Sequence, residues 1–190
     1  MEEFITTYSG IHFYPTKPVL EDIRITDIAH ALSMLCRGNG HVVHFFSVGQ
    51  HCINCCVEAE CRGYSDRLIL ACLLHDAAEA YMSDVTRPLK AYMPDYVRKE
   101  EYLLDVIYEK YLGSILTEKE KVLVKRIDDD MLYYDLLYLL NEPQAGPAPV
   151  MKSAFTQNYE PFDKVEKRYL ELFYKYYGAQ RPVDVGSAQT

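Results

Sequence analysis

The residues best suited to chemistry lie in the stretch Leu-Leu-His-Asp-Ala-Ala-Glu, which spans residues 73–79. His75 and Asp76 are adjacent ionisable residues in an otherwise apolar segment, where burying them is costly unless something compensates their charge. A divalent cation is one such compensation, because imidazole nitrogen and carboxylate oxygen are both good metal ligands. Glu79 follows at helical spacing and is expected on the same side of a helix. The stretch therefore indicates either a metal site or a solvent-facing or helix-packed His–Asp pair.

Elsewhere in the sequence, one more histidine and one more carboxylate are candidate metal ligands. His51 falls in the first turns of a predicted helix, as either a ligand or an ordinary structural histidine. The run 128–130 contains three aspartates, which helical phase distinguishes. Asp128 lies four residues from both Val124 and Leu132 and is expected to face inward, whereas its two neighbours are expected to be solvated. A carboxylate on an apolar stripe again needs a partner.

The six cysteines give a weaker signal. Cys52-x-x-Cys55 resembles half of a zinc knuckle, but a complete site needs a second pair of similar spacing, and the remaining cysteines do not supply one. Nothing in the sequence points to secretion, so reduced thiols are expected. We therefore predict buried, inert thiols on a helix.

The elements that must position these residues are nearly all helical. A small β-hairpin is predicted over residues 4–14, with a turn at Ser9-Gly10. Helix start signals follow at Thr26 and in the capping boxes that begin at Ser47 and Thr117, and Gly113 is a predicted stop. The predicted helices cover residues 26–38, 47–63, 68–82, 95–112, 117–140 and 161–178. The fold class is thus all-α, a bundle of about six helices with a small N-terminal β-hairpin.

Length and composition limit the possible domain organisation and the class of protein. A chain of 190 residues with 49% hydrophobic and 25% charged residues predicts one globular domain. We expect a hairpin extension over residues 1–20, a single helical domain over 21–178 and a disordered tail over 179–190. Apolar runs fall short of the roughly 20 residues of a membrane span, so a cytoplasmic protein without membrane association is expected. The net charge of −8 argues against binding a nucleic acid polymer.

Together, His51, the pair His75-Asp76 and Asp128 resemble the H…HD…D signature of the HD-domain metal-dependent phosphohydrolases in order, spacing and helical context. Within that superfamily the chain is most similar to the bacterial HD-domain 5′-deoxynucleotidases and the related phage enzymes that hydrolyse dATP. This closer likeness depends on His75-Asp76-x-x-Glu79, with Asp84 five residues later. It extends from about residue 28 to residue 140.

The resemblance implies an HD-domain helical bundle with a single metal centre and a homo-oligomer, a dimer or higher. Its ligands to one divalent ion (Mn, Co, Fe, Zn or Mg) would be the four residues His51, His75, Asp76 and Asp128. Glu79 and Asp84 match the catalytic positions of the family, and Arg37 lies close to a substrate-contacting arginine. The deoxynucleotidases have a tryptophan after that arginine, which helps them to reject ribose. Here the residue is Gly38, and the chain contains no tryptophan.

The function that the resemblance implies is hydrolysis of small nucleotides, most simply release of phosphate from (deoxy)nucleoside 5′-monophosphates. Triphosphate removal from a dNTP such as dATP is the alternative activity. Guanosine-tetraphosphate hydrolases rank lower, because they typically have a second acid where this chain has Ala80. A non-catalytic HD-type module that binds a metal or nucleotide is the alternative of another class.

Overall fold

Helices make up most of the chain in the computed structural model, which describes residues 3–179. The predicted all-α fold with a small N-terminal hairpin is confirmed. The helices are α1 (Ile25–Met34), α2 (Val48–Cys61), α3 (Asp66–Leu74), α4 (Glu79–Met82), α5 (Arg87–Lys90), α6 (Pro94–Leu112), α7 (Glu118–Leu139) and α8 (Phe162–Ala179). The predicted tail lies outside the described residues, apart from Ala179, which ends α8. Within the described part of the chain, no helix combines the length and apolar character needed to cross a bilayer.

The hairpin consists of β1 (Ile5–Thr6) and β2 (His12–Phe13), paired antiparallel. Its turn is held against α1 by Asp27, which accepts hydrogen bonds from the backbone N–H and the hydroxyl of Ser9 at 2.7 and 2.8 Å. Phe13 is fully buried and its ring stacks on that of Tyr81, with 4.1 Å between ring centroids. The hairpin is therefore packed onto the helical core.

Side-chain caps fix the beginning of several helices. Thr117 and Glu120 form the predicted capping box at the start of α7, and Gly113 ends α6 in the left-handed conformation, with φ of +79°. Ser47 accepts from the backbone N–H of Gln50, as predicted. The side chain of Gln50, however, donates to the carbonyl of Asn158 at 2.8 Å, so only half of the predicted box forms.

The first and third predicted helices differ from those observed. Thr26 lies inside the first turn of α1, whose N-cap is Arg24, and α1 ends at Met34, well before Gly38. The predicted helix over 68–82 is divided into α3 and α4 by tight turns at 75–78. The break has a local cause, because the His75 ring bonds the Cys72 carbonyl at 2.8 Å and takes an acceptor that a continuing helix would use.

The final helix closes the core against α1, α2 and α3. Its apolar face is buried, and the Tyr169 hydroxyl donates to the Leu73 carbonyl at 2.8 Å, directly beside the end of α3. The buried residues of that face are Val165, Tyr169, Phe173 and Tyr176. Packing around α3 thus positions the His75-Asp76 segment.

Candidate metal centre

The centre is built around two histidine rings whose free nitrogens face each other. His51 Nδ1 lies 2.8 Å from Asp135 Oδ2, and His75 Nδ1 lies 2.8 Å from the Cys72 carbonyl oxygen. Both partners accept hydrogen bonds only, so each Nδ1 carries the proton of a neutral ring and each Nε2 offers a lone pair. The two Nε2 atoms are 3.3 Å apart. Lone pairs at that separation require a proton or a cation between them.

Two carboxylates complete the cluster. Asp128 Oδ1 lies 3.2 Å from His51 Nε2 and 3.6 Å from His75 Nε2. Asp76 Oδ2 lies 3.3 Å from His75 Nε2 and 4.0 Å from His51 Nε2. A tetrahedral ion with nitrogen and oxygen ligands near 2.0–2.2 Å separates neighbouring donor atoms by about 3.3–3.5 Å. The structure thus brings the four predicted ligands to distances that suit one small cation.

Cysteines lie in the same cluster. Groups of donor atoms within 4.8 Å of one another that could hold a metal ion are formed by His51, Cys55 and His75, and by Cys52, His75 and Asp76. The cysteines of α2 are buried, as predicted, except Cys61. Their contact with the histidines was not predicted, although Cys55 follows His51 by one helical turn.

The electrostatics of the cluster favour bound positive charge. Burial lowers the pKa of His75, but Asp76 and its other acidic neighbours outweigh burial and hold that pKa well above its ordinary value. The pKa of His51 is likewise raised against burial, with Asp135 and Asp128 contributing. Burial raises the pKa of Asp128, yet its two histidine neighbours hold it well below the usual range.

Arg37 lies beside the cluster, between α1 and α2. A backbone hydrogen bond from its N–H to the Phe46 carbonyl, 2.9 Å long, anchors it, and its side chain is only 13% exposed. Nη1 lies 3.3 Å from Asp76 Oδ2 and Nη2 lies 3.4 Å from Asp135 Oδ2. Burial lowers its pKa, but Asp135 and Asp76 more than reverse that effect and raise it. Its guanidinium is therefore a fixed positive charge next to the predicted ligands.

A cavity of about 520 Å³ opens beside the four side chains, and Arg37, Asp76, Glu79, Asp84 and Asp128 all line it. Glu79 is buried, and its Oε2 has no hydrogen-bond partner among the described residues. Burial raises its pKa well above the ordinary value, and Asp76 and Asp84 add to the effect. The predicted catalytic pair and the predicted substrate-contacting arginine thus share one cavity with the metal-ligand cluster.

Two further cations line this cavity, Arg87 and Lys90 of α5. Arg87 Nη2 lies 2.8 Å from Asp128 Oδ2 and also 2.8 Å from Asp129 Oδ1. Lys90 Nζ lies 3.7 Å from Glu79 Oε1. Both residues also line a second cavity of about 540 Å³ beside α6, so α5 lies between the two cavities.

The inward phase of Asp128 is as predicted, but its neighbours differ from the expectation of solvated side chains. Asp129 is 43% exposed and paired with Arg87, whereas Asp130 is only 23% exposed and its Oδ2 lies 2.8 Å from Arg62 Nη1. Arg87 and Arg62 come from other elements, which helical phase within α7 does not reveal, whereas Lys125, whose Nζ lies 2.5 Å from Asp129 Oδ2, is one turn earlier on α7.

Asp135 is the residue that sequence reasoning missed. It is buried and accepts from His51, while Arg37 and Gln157 approach it at 3.4 and 3.5 Å. It follows Asp128 by two helical turns on α7, so heptad spacing after a predicted ligand is the signal that could have found it.

Comparison with known proteins finds similar chains without a described activity. No family model matches this chain. It is 46% identical over 108 residues to the uncharacterized protein YfdR of Escherichia coli, in a match that covers 57% of this chain and 58% of YfdR. It is 33% identical over 118 residues to the uncharacterized protein RCAP_rcc00048 of Rhodobacter capsulatus, covering 58% and 60% of the two chains. The chain thus spans about three fifths of the length of these curated relatives.

Proposed function

We propose that the chain is a metal-dependent phosphohydrolase of the HD-domain type that acts on small nucleotides, most simply releasing phosphate from (deoxy)nucleoside 5′-monophosphates. The observation that carries the proposal is the convergence of His51, His75, Asp76 and Asp128, of which Asp76 and Asp128 line the cavity. The same cavity is lined by the largely buried Arg37 and by the buried Glu79, whose Oε2 has no hydrogen-bond partner among the described residues. An anionic substrate, a cation and a proton carrier would each find suitable partners there.

The donor set fits a divalent cation, because two imidazole nitrogens and two carboxylates match its preference and its size. Held by these four residues, such an ion would polarise a phosphoryl oxygen and lower the pKa of a coordinated water. His51 is oriented for this role by Asp135, and His75 by the Cys72 carbonyl.

Arg37 would bind the phosphate. Its contacts with Asp76 and Asp135 are both longer than 3.2 Å, so they hold the guanidinium in place while leaving donors for another acceptor. A planar group with five donors suits phosphate oxygens.

Glu79 and Asp84 would transfer protons. Burial raises the pKa of Glu79, which suits it to protonate the departing ribose oxygen, and Asp84, which lines the same cavity, would orient the attacking water. Phosphoryl transfer requires little else of a protein beyond alignment and charge stabilisation.

Part of the cavity lining is aliphatic and suits a sugar and base. It consists of Val42, Leu132, Leu136, Leu139 and Leu140. A Cβ atom at Gly38 would lie 3.7 Å from Leu140 Cδ2, and the φ of +58° there disfavours other residues. Leu140 thus lies next to Gly38, the position at which the deoxynucleotidases have a tryptophan. Because that tryptophan is absent here, we expect weaker discrimination between ribose and deoxyribose than that family achieves.

Hydrolysis of a dNTP is the second candidate, and one observation favours it. Arg87 and Lys90 line the cavity together with Arg37, so cations lie at more than one point of a lining that also contains several carboxylates. A chain of phosphates could extend from Arg37 towards α5.

The test is phosphate release from dNMPs, NMPs, dNTPs and guanosine tetraphosphate with Mn²⁺, Co²⁺ or Mg²⁺, each with an EDTA control. Glu79→Gln should lower the turnover rate by about a hundredfold or more while metal binding persists. Glu118→Gln, at an exposed site on α7, is the matched control and should retain full activity.

Metal-dependent release from monophosphates supports the proposal, and release from triphosphates alone supports the second candidate. Silence across the panel with metal bound contradicts both and favours a non-catalytic metal- or nucleotide-binding module.

A further inference from the structure

A thiol lies directly against the histidine pair, on the side away from solvent. Cys55 follows His51 by one turn of α2, is fully buried, and places its Sγ 3.5 Å from His51 Nε2. Its sulfur also falls within 4.8 Å of the donor nitrogen of His75. By position, Cys55 belongs to the cluster as closely as the carboxylates do.

We propose that Cys55 is a metal ligand that joins His51 and His75 in a thiolate-containing site selective for a borderline or soft divalent cation, Zn²⁺ or Cd²⁺, over Mg²⁺ and Mn²⁺. The inference rests on the proposed metal centre, but it does not require phosphohydrolase activity.

The distances support a tetrahedral ion. With zinc–nitrogen bonds near 2.0–2.1 Å and a zinc–sulfur bond near 2.3 Å, the nitrogen–nitrogen edge is about 3.3 Å and the nitrogen–sulfur edge about 3.5 Å. The corresponding separations here are 3.3 Å for His51–His75 and 3.5 Å for His51–Cys55. His51 Nε2 therefore already lies at suitable distances from both the His75 nitrogen and the Cys55 sulfur.

Cys55 is a better ligand than Cys52 in this arrangement. The donor group that contains Cys55 includes both histidines, whereas the group that contains Cys52 has only His75 together with Asp76. An ion bound between the facing Nε2 atoms therefore has Cys55 within reach.

Metal binding by Cys55 involves loss of a proton and no redox step. When the ion binds, the Cys55 S–H bond breaks, its electron pair forms the sulfur–metal bond, and the proton passes to the buffer. A thiolate ligand favours softer cations, whereas Mg²⁺ and Mn²⁺ prefer oxygen and would bind through the two carboxylates.

The experiment is a Cd²⁺ titration of the Cys61→Ala chain, which lacks the exposed thiol, followed by the ultraviolet absorbance that cadmium–thiolate charge transfer produces. We expect the band to saturate at one Cd²⁺ per chain. Adding Cys55→Ala should remove the band and weaken Cd²⁺ binding at least about tenfold, with Mn²⁺ affinity by calorimetry changed far less. Adding Cys52→Ala instead should leave the band.

Other outcomes of these titrations would contradict either the role of Cys55 or the metal centre. A band that survives Cys55→Ala, or that disappears with Cys52→Ala instead, contradicts the assignment of Cys55. Mn²⁺ binding without any cadmium–thiolate band contradicts the thiolate site but does not contradict the proposed function. Absence of both Mn²⁺ and Cd²⁺ binding contradicts the metal centre itself. Should Cys55→Ala fail to fold, Cys55→Ser, which nearly preserves the volume, is judged by the same criteria.

Discussion

Two imidazole nitrogens, each oriented by an acceptor on the far side of its ring, define the candidate centre at the level of single residues. Asp135 supports two groups of the centre, since it accepts from His51 and lies 3.4 Å from Arg37. Its pKa stays below the usual range despite burial, because His51 and Arg37 favour the charged carboxylate. One buried carboxylate therefore orients both a proposed metal ligand and the proposed phosphate-binding residue.

Asp135→Asn tests this positioning role. The amide keeps the shape of the carboxylate but removes its charge, so the His51 ring loses a strong acceptor. We expect divalent metal affinity to fall about 10–100-fold, as measured by calorimetry with Mn²⁺. Asp129→Asn, a matched change on the exposed side of α7, should leave that affinity within about threefold; equal losses in the two variants would contradict a specific role for Asp135.

At the level of elements, the long connection between α7 and α8 is attached to α2 by polar side chains. Glu58 accepts from the backbone N–H groups of Lys152 and Ser153 at 2.8–3.1 Å, and from the Ser153 hydroxyl at 2.6 Å. Asn54 and Gln50 bond carbonyls further along the same connection. Because Gln157 on this connection approaches Asp135, these anchors also support the centre.

Glu58→Gln should destabilise the fold in a pH-dependent way. Burial raises the pKa of Glu58, but its hydrogen bonds outweigh burial and lower it, so its stabilisation is present above the unfolded pKa near 4.5 and lost as pH falls through the lower folded value. We expect a loss of about 1–3 kcal/mol at pH 7 in urea denaturation. The difference from the wild type should shrink below pH 4; a difference independent of pH would contradict this account.

Thr117→Ala tests the start of α7, the helix that positions both Asp128 and Asp135. The substitution removes the hydroxyl that caps the Glu120 N–H, and should lower the free energy of unfolding by about 1 kcal/mol. Thr117→Ser keeps the hydroxyl and should restore most of the loss in the same thermal or urea measurement. A serine variant as unstable as the alanine variant would show that the hydroxyl is not the stabilising group.

For the whole molecule, the aromatic final helix is a structural part of the core. The structure buries the apolar face of this helix against α1, α2 and α3. The face therefore supplies no argument for association, and the expected dimer or higher oligomer stays a prediction that depends on the resemblance. Sedimentation equilibrium should find at least a dimer at micromolar concentration; a monomer would contradict that expectation.

The parts of the molecule that the sequence predicted are those with local causes. Capping residues, a stop glycine and apolar periodicity gave the helices, and the phase of Asp128 within α7 gave its inward direction. The break at His75 coincides with a hydrogen bond from its ring to the Cys72 carbonyl, which the apolar pattern does not reveal. Asp135 contacts His51 only when α2 and α7 pack together, and Cys55 lies near His75 only when α2 packs on α3. Periodicity carries no information on contacts between elements, so these two features required the structure.

The most direct test of the account is phosphate release from dAMP as a function of added Co²⁺ or Mn²⁺, after the chain has been freed of metal with EDTA. The account predicts no release from the metal-free chain, and activity that rises with added ion to a plateau at one ion per chain in the wild type but not in Asp128→Asn. Release that persists in EDTA, or a chain that binds one ion yet hydrolyses neither dAMP nor dATP, would contradict it.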